Sequence, residues 1–143
     1  MRLRYIILLV FFVPLLAIFS ISIYKGFETR KKAKIREEIN RKIRVEVLNA
    51  AGVNGLARKV TWLLRKDGFD VVYYGNADEP LPKTVVVERR DSSMFHARHL
   101  ARWIGCREIT LEIDPDRVLD VSLVLGKDYK KLFKGIDSLK IVF

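Results

Sequence analysis

A short turn rich in alanine, glycine and asparagine is the first place in this sequence where backbone groups could bind a ligand. It runs Ala50-Ala51-Gly52-Val53-Asn54-Gly55, between a strand-like and a helix-like segment. Glycine-rich turns in that position hold the phosphates of dinucleotides. Here Ala50 replaces the first glycine of Gly-x-Gly-x-x-Gly, and no acidic residue ends the next strand, since Asp70 begins it. We therefore expect no cofactor. The turn could still bind an anion, or it is a tight connection that needs small residues.

Two histidines and the single cysteine raise the question of a metal. His96 and His99 are three residues apart and could share a helical face, and Cys106 follows them. A closed structural site needs four ligands, and the sequence offers neither a second cysteine nor a third histidine nearby. We therefore expect no metal site, and exposed histidines on a basic helix face.

The serines give no sign of nucleophilic catalysis. A reactive serine needs a general base within hydrogen-bond reach. No sequence cue supplies one for any serine of the folded part, and we expect a protein that is not an enzyme. These serines are Ser92, Ser93, Ser122 and Ser138.

An uncharged run from Tyr5 to Tyr24 dominates the N-terminal part. Its length is that of a helix crossing the hydrocarbon core, roughly 20 residues. Tyrosines at both ends suit the membrane interfaces. The alternative is a cleaved signal peptide with Arg2 and Arg4 at its start and Ser20 and Ser22 near a cleavage site. We predict that residues 1–24 are an uncleaved transmembrane anchor.

Residues 25–42 are predicted to form a basic helical stalk beside the membrane. The chain carries a formal net charge of +10, and this segment holds the densest positive charge. Such runs attract anionic lipid headgroups, so membrane lipid is an expected partner. The positive-inside rule alone would keep the C-terminal part in the cytoplasm, although long domains are often exported against it. The membrane-proximal basic residues are Lys25, Arg30, Lys31, Lys32, Lys34 and Arg36.

The rest of the chain alternates between strand and helix patterns. We predict an α/β domain over residues 43–129, close to an α+β sandwich, with a mixed sheet of about five strands and two helices in the order β-α-β-β-α-β-β. Ile109, Leu111 and Ile113 are expected to face inward, and Ser92 or Ser93 to cap the second helix. The tail 130–143 could add an edge strand at Leu139–Phe143. The predicted strands are Ile43–Leu48, Asp70–Tyr74, Thr84–Glu88, Glu108–Ile113 and Asp120–Leu125, and the helices are Leu56–Lys66 and Met94–Ile104.

Four segments in the same order give this domain a resemblance to a known family. The segments from Val45 to Ala57, Gly68 to Val71, Gly75 to Asp78 and Asp120 to Tyr129 resemble the LytR C-terminal domain, an accessory domain of LytR–CpsA–Psr cell-envelope proteins. The resemblance implies a non-catalytic module facing the cell wall, because phosphotransferase activity in that group belongs to a separate domain for which this chain has no room. It also favours export, against the charge pattern.

The sequence therefore predicts a module that binds a wall polymer or an envelope protein. Binding groups often lie on loops that follow strands, and this argument selects a candidate surface. An alternative is a cytoplasm-facing module that regulates transcription or binds nucleic acid through its stalk and arginine-rich helix, with Arg89, Arg90, Arg98 and Arg102 contacting phosphates. We consider nucleic acid the less favoured partner. The candidate ligand-binding residues are Asn49, Gly52, Gly55, Asn76, Asp78, Lys127 and Asp128.

Overall fold

A computed structural model describes residues 2–116 and 118–141 of the chain, with side chains from residue 12 onward. The chain divides into two compact units, residues 1–36 and residues 37–143. The first unit lies within helix α1 (Arg2–Asn40), which continues through Pro14. From Phe12 onward this helix is long and apolar enough to cross a membrane, a property that signal sequences share. Its apolar side chains, such as Leu16 and Phe19, are exposed within the unit.

The second unit contains a five-stranded mixed sheet in the order β2-β1-β5-β3-β4. Strand β5 is central and runs parallel to β1, which runs parallel to β2. On its other side β5 pairs antiparallel with β3, and β3 runs parallel to β4. The prediction of a mixed α/β sheet of about five strands is therefore confirmed. The strands are β1 (Arg44–Asn49), β2 (Asp70–Asn76), β3 (Val85–Glu88), β4 (Ile109–Leu111) and β5 (Val121–Leu125).

Two amphipathic helices cover one face of this sheet. Helix α2 (Leu56–Lys66) buries Leu56, Val60 and Leu64, and helix α3 (Phe95–Ile104) buries Leu100 and Ile104, among others. These side chains form one core with Val45, Val47, Val121, Leu123 and Val86, which are cross-strand neighbours on the same face. Apolar spacing of three and four residues explains why both segments form helices against the sheet.

The last turn of α1 packs on this domain. Asn40 Nδ2 donates a hydrogen bond to the Asp67 carbonyl oxygen at 2.6 Å, and Ile39 packs against the core. Gly68 has φ +91°, and a Cβ atom there would lie 2.9 Å from Glu37 Cγ. The conformation and the close approach both require glycine just after α2. Residues 37–40 therefore belong structurally to the folded domain.

The C-terminal tail differs from the prediction of an edge strand. Helix α4 (Tyr129–Leu132) and a 3₁₀ turn (Ile136–Ser138) follow β5, and Leu139–Ile141 forms no strand. Residues 142 and 143 lie outside the described part of the chain. Phe133 and Ile136 are buried in the core, and their burial explains why the tail folds back as helical turns.

The inward orientation predicted for the fourth strand is wrong at two of three positions. Ile109 packs against the core, but Leu111 is 44% exposed and Ile113 is 50% exposed. Strand β4 ends at Leu111 and lies at the sheet edge, where α3 covers little of it. The alternating pattern did indicate a strand, but this strand lies at the edge of the sheet and ends at Leu111. The side chains of Leu111 and Ile113 therefore remain exposed.

Candidate functional site: a cleft at the ends of β1 and β2

The turn after β1 is fixed by the side chain of Asn49. Its Oδ1 accepts a hydrogen bond from Ala51 N at 3.2 Å, and its Nδ2 donates to the Val53 carbonyl oxygen at 2.9 Å. Gly52 and Gly55 both have φ +73°, which side-chain-bearing residues rarely adopt. The asparagine and the two glycines therefore give the turn a defined shape before α2 begins.

Asn49 also joins this turn to the end of β2. Asn49 and Asn76 are register partners at the carboxyl ends of the parallel strands, and Asn49 Nδ2 lies 3.3 Å from Asn76 Oδ1. Carboxyl ends of parallel strands are the usual position of ligand sites in α/β sheets. Asn49 is buried and fully engaged, so it positions the loop, whereas Asn76 is exposed.

Two concavities meet at these strand ends, and we name them together the β1–β2 cleft. One has a volume of about 340 Å³ and includes Ala50, Gly52, Asp78 and Glu79 in its lining. The other has a volume of about 320 Å³ and includes Gly55, Arg58, Tyr74 and Gly75. Both share three amides, from Asn49, Asn54 and Asn76. Each volume is at the lower end of the range for small-molecule sites.

Five of the seven candidate ligand-binding residues line this cleft: Asn49, Gly52, Gly55, Asn76 and Asp78. The other two are placed elsewhere in the loop after β5. Asp128 Oδ1 accepts hydrogen bonds from Thr84 N at 2.7 Å and from Thr84 Oγ1 at 2.8 Å. Lys127 N donates to the Leu81 carbonyl oxygen, and its side chain is exposed. These contacts hold the chain before β3 against the end of β5.

The folded domain matches a known family over most of its length. The family model described as "LytR cell envelope-related transcriptional attenuator", LytR_C, matches residues 42–129, more than half of the chain. The chain belongs to the LytR_C family. This confirms the resemblance seen in the sequence, and places the protein among the LytR_C domains of cell-envelope proteins.

A solved structure supports the same placement. The soluble domain of a conserved hypothetical secreted protein from Mycobacterium marinum is similar to this chain, with 26% sequence identity and a TM-score of 0.50. The similarity covers 69% of this chain and 70% of that one. No curated protein matches the chain. This LytR_C domain therefore has a structural relative in a secreted protein.

The histidines of this LytR_C domain are not exposed, contrary to the sequence-based expectation. His96 Nδ1 lies 3.0 Å from Glu88 Oε1, and the side chain is 20% exposed. His99 Nε2 lies 2.7 Å from Asn40 Oδ1. Cys106 is placed separately, with Sγ 3.3 Å from the Thr84 carbonyl oxygen, and burial raises the pKa of its thiol. The sequence analysis grouped these three residues as possible metal ligands, but in the fold each contacts a different partner.

The fold instead brings His96 to two carboxylates, Glu88 and Asp91, and their ligand atoms lie within 4.8 Å of one another. Such a trio could in principle hold a cation. However, Glu88 Oε2 accepts a hydrogen bond from Ala97 N at 2.9 Å, and hydrogen bonds from Ser93 lower the pKa of Asp91. Both carboxylates therefore act at the start of α3, where the helix dipole favours anions and opposes a cation. We interpret the cluster as a helix cap.

A buried polar network lies on the other face of the sheet. Ser122 Oγ donates to Glu46 Oε2 at 2.7 Å and accepts from Arg89 Nε at 3.1 Å. Arg89 is 11% exposed and also pairs with Glu112 at 3.1 Å. Ser122 and Glu46 are both buried, so the hydroxyl group and the carboxylate that accepts its hydrogen bond have little access to a substrate. We therefore interpret the network as structural, and Arg89, to which the alternative hypothesis assigned a phosphate contact, is engaged by Ser122 and Glu112.

Proposed function

We propose that this LytR_C protein is a membrane-anchored, non-catalytic module of the cell envelope that binds a wall polymer or an envelope protein through the β1–β2 cleft. One observation carries the proposal: five polar or glycine positions from two separate loops line two concavities that share three asparagines. Membership of an envelope-related family supports the setting. The secreted relative supports a domain that acts outside the cytoplasm.

The chemistry of the β1–β2 cleft suits a ligand rich in hydroxyl or amide groups. Asn54 and Asn76 offer donors and acceptors, and Asp78 and Glu79 offer acceptors. The exposed ring of Tyr74 supplies an apolar surface at the same cleft. A sugar ring or an extended peptide presents complementary groups. The amides, carboxylates and phenol of the cleft offer hydrogen bonds for binding, and we propose that they take no part in proton transfer or nucleophilic attack.

The anchor and the basic stalk would hold the module near lipid headgroups. Helix α1 meets the length and composition of a membrane span. Its stalk carries the six basic residues from Lys25 to Arg36 named above, and Lys32 pairs with Glu28 at 3.2 Å. Exposed pairs of this kind add little stability. The remaining positive charge is free to attract anionic lipid, which supports the assignment of lipid as a partner.

Binding to insoluble cell-wall sacculi tests the proposal. The full-length protein in phosphatidylcholine nanodiscs would be sedimented with sacculi, and the bound fraction measured. We expect Asn76→Ala combined with Asp78→Ala to weaken binding about tenfold, because two exposed cleft groups lose their hydrogen bonds to the ligand. Lys127→Ala is the matched control, since Lys127 lies on a neighbouring loop outside the cleft, and its binding should equal the wild type.

Two results would overturn the cleft assignment. In the first, the double variant keeps its fold and binds sacculi as the wild type does. In the second, Lys127→Ala weakens binding as much as the double variant. If neither sacculi nor envelope extracts retain the wild-type protein under any salt condition, the proposed binding function itself fails.

A further inference from the structure

The exposed face of α3 carries a second concave surface, separate from the β1–β2 cleft. It has a volume of about 270 Å³ and is lined by Ser93, Phe95, Arg98, His99 and Arg102. We name it the α3 groove. Its lining contains two guanidinium groups, an imidazole, a hydroxyl and an aromatic ring, and none of the described residues that line it carries a carboxylate. The chemistry is therefore opposite in charge to the acidic rim of the β1–β2 cleft.

The floor of the α3 groove is held in place before any ligand binds. His99 Nε2 lies 2.7 Å from Asn40 Oδ1, and Asn40 is itself held by its hydrogen bond to Asp67. The ring of Phe95 stacks on His99 with an interplanar angle of 24° and a centroid distance of 6.1 Å. Phe95 is nevertheless 52% exposed. An exposed ring with a fixed orientation provides a flat apolar surface at little entropic cost.

Two exposed arginines supply the positive charge of the groove. Arg98 and Arg102 are exposed and four residues apart on α3, so their Cβ atoms are about 6 Å apart. Among the residues that the structure describes, no carboxylate lies within ion-pair distance of either guanidinium. Like charges at this spacing destabilise a helix slightly. Arg89, by contrast, is fully engaged by Ser122 and Glu112.

An anion placed between the two guanidinium groups would neutralise their charge and accept hydrogen bonds from the N–H donors of both. Each guanidinium offers a planar fork of N–H donors that matches two oxygens of one acceptor. A phosphate diester has two terminal oxygens and a monoester has three, so either can place at least one terminal oxygen on each guanidinium group. The organic part of a phosphate ester would then contact the exposed face of Phe95.

We propose that the α3 groove is a binding site for a phosphate ester, with the phosphate on Arg98 and Arg102 and the adjoining group on Phe95. Two envelope components carry this chemistry: the headgroup of an anionic phospholipid and the backbone of a phosphate-containing polymer. The site does not depend on the β1–β2 cleft, because the two surfaces share no residue.

The test uses the full-length protein in nanodiscs and has two arms. In the first arm, glycerol 3-phosphate is titrated calorimetrically into protein held in phosphatidylcholine nanodiscs. In the second arm, hydrogen exchange of residues 93–102 is compared between phosphatidylcholine nanodiscs and nanodiscs that also contain phosphatidylglycerol. Binding in the first arm identifies a soluble or polymeric phosphate as sufficient, and protection confined to the second arm identifies a lipid headgroup. Either result supports the site.

Matched variants separate the α3 groove from general charge attraction. Arg98→Gln combined with Arg102→Gln should weaken binding of glycerol 3-phosphate at least about tenfold, or abolish the lipid-dependent protection. Lys131→Gln combined with Lys134→Gln removes the same charge from exposed positions elsewhere and should behave as the wild type. The cleft variant with Asn76→Ala and Asp78→Ala should also bind phosphate normally, so failure of one site is distinguishable from failure of the other.

The proposal is overturned if the wild-type protein shows neither binding nor protection. It is also overturned if the arginine variant and the lysine variant lose binding equally. Since both arginines are exposed, the arginine variant should keep the wild-type melting temperature, and that measurement confirms that the comparison is between folded proteins.

Discussion

At the residue scale, Gly126 lies at a close backbone approach between the loop after β5 and the chain before β3. A Cβ atom there would lie 2.6 Å from Thr84 N and against the Lys83 carbonyl group. These neighbours are backbone atoms, and Gly126 N already donates to Thr84 Oγ1 at 3.0 Å. We expect Gly126→Ala to lower the free energy of unfolding by about 3 kcal/mol, because hydrogen-bonded backbone must move. Urea unfolding of the detergent-solubilised protein, followed by circular dichroism, measures the loss.

Gly75→Ala is the matched control for this substitution. The added methyl group would meet the Tyr73 hydroxyl oxygen at 2.7 Å, which is the far end of an exposed side chain that can rotate away. We expect a change within about 1 kcal/mol of the wild type. Equal losses at the two glycines would contradict the assignment of Gly126 as the rigid contact.

Residue types in the sequence indicated the residues of the β1–β2 cleft, but they did not indicate the long-range hydrogen bonds of Asp128 and Glu88. Asn49 and Asn76 end two neighbouring parallel strands, and Gly52 follows the first of them, so reasoning from strand ends brought these residues together correctly. Asp128 follows a strand in the same way, yet its carboxylate is taken by Thr84, a partner 44 residues away. Glu88 looked like the end of a strand, and its role as the cap of α3 depends on long-range packing that local patterns do not encode.

At the scale of elements, periodicity located the helices better than the strands. Leu56–Lys66 has the same bounds as predicted, because its apolar spacing and the following Gly68 mark both ends. The three-residue strand β4 is shorter than the alternating segment that suggested it, since a sheet edge limits pairing. The insertion of β5 between β1 and β3 joins residues that are distant along the chain. No local sequence pattern specifies this strand order, although the strand order determines which loops lie next to one another.

The helical turns after β5 are expected to be part of the folding unit, although the family match ends at residue 129. Phe133 is buried in the core with Ile136, and Tyr129 Oη donates to Asp137 Oδ1 at 3.0 Å. We expect Phe133→Ala to lower the free energy of unfolding by about 3 kcal/mol, through lost burial and the cavity that remains. Lys134→Ala, at an exposed position next to it, should change stability by less than about 0.5 kcal/mol.

Urea unfolding of the two variants shows whether the C-terminal turns pack in the core or are only an appendage to the domain. If Phe133→Ala is as stable as Lys134→Ala, the C-terminal turns do not contribute to the core. The ion pair between Lys130 and Asp137 at 2.9 Å lies at the surface, and we expect the packing of Phe133 and Ile136 to hold the tail in place.

At the scale of the whole molecule, the distribution of charge and apolar residues explains the division into two units. The apolar side chains of the first unit are exposed within it, as a lipid-facing helix requires, whereas those of the second unit form one core. The net charge of +10 is concentrated beside the apolar helix and on exposed arginines such as Arg98. By itself this pattern would retain the domain in the cytoplasm. The envelope function proposed above requires the opposite side.

The orientation of the membrane helix decides between these two expectations. We expect a phosphatase that is active only after export to be active when fused to Phe143, because a folded domain of this length can be exported against a modest charge bias. A matched fusion to a cytoplasm-active reporter should be inactive. Retention of the full-length mass in the membrane fraction would identify α1 as an anchor, whereas loss of about 20 residues would identify a cleaved signal sequence. Activity from the cytoplasmic reporter alone would refute the envelope function and make the exposed arginines of α3 candidates for nucleic-acid contact.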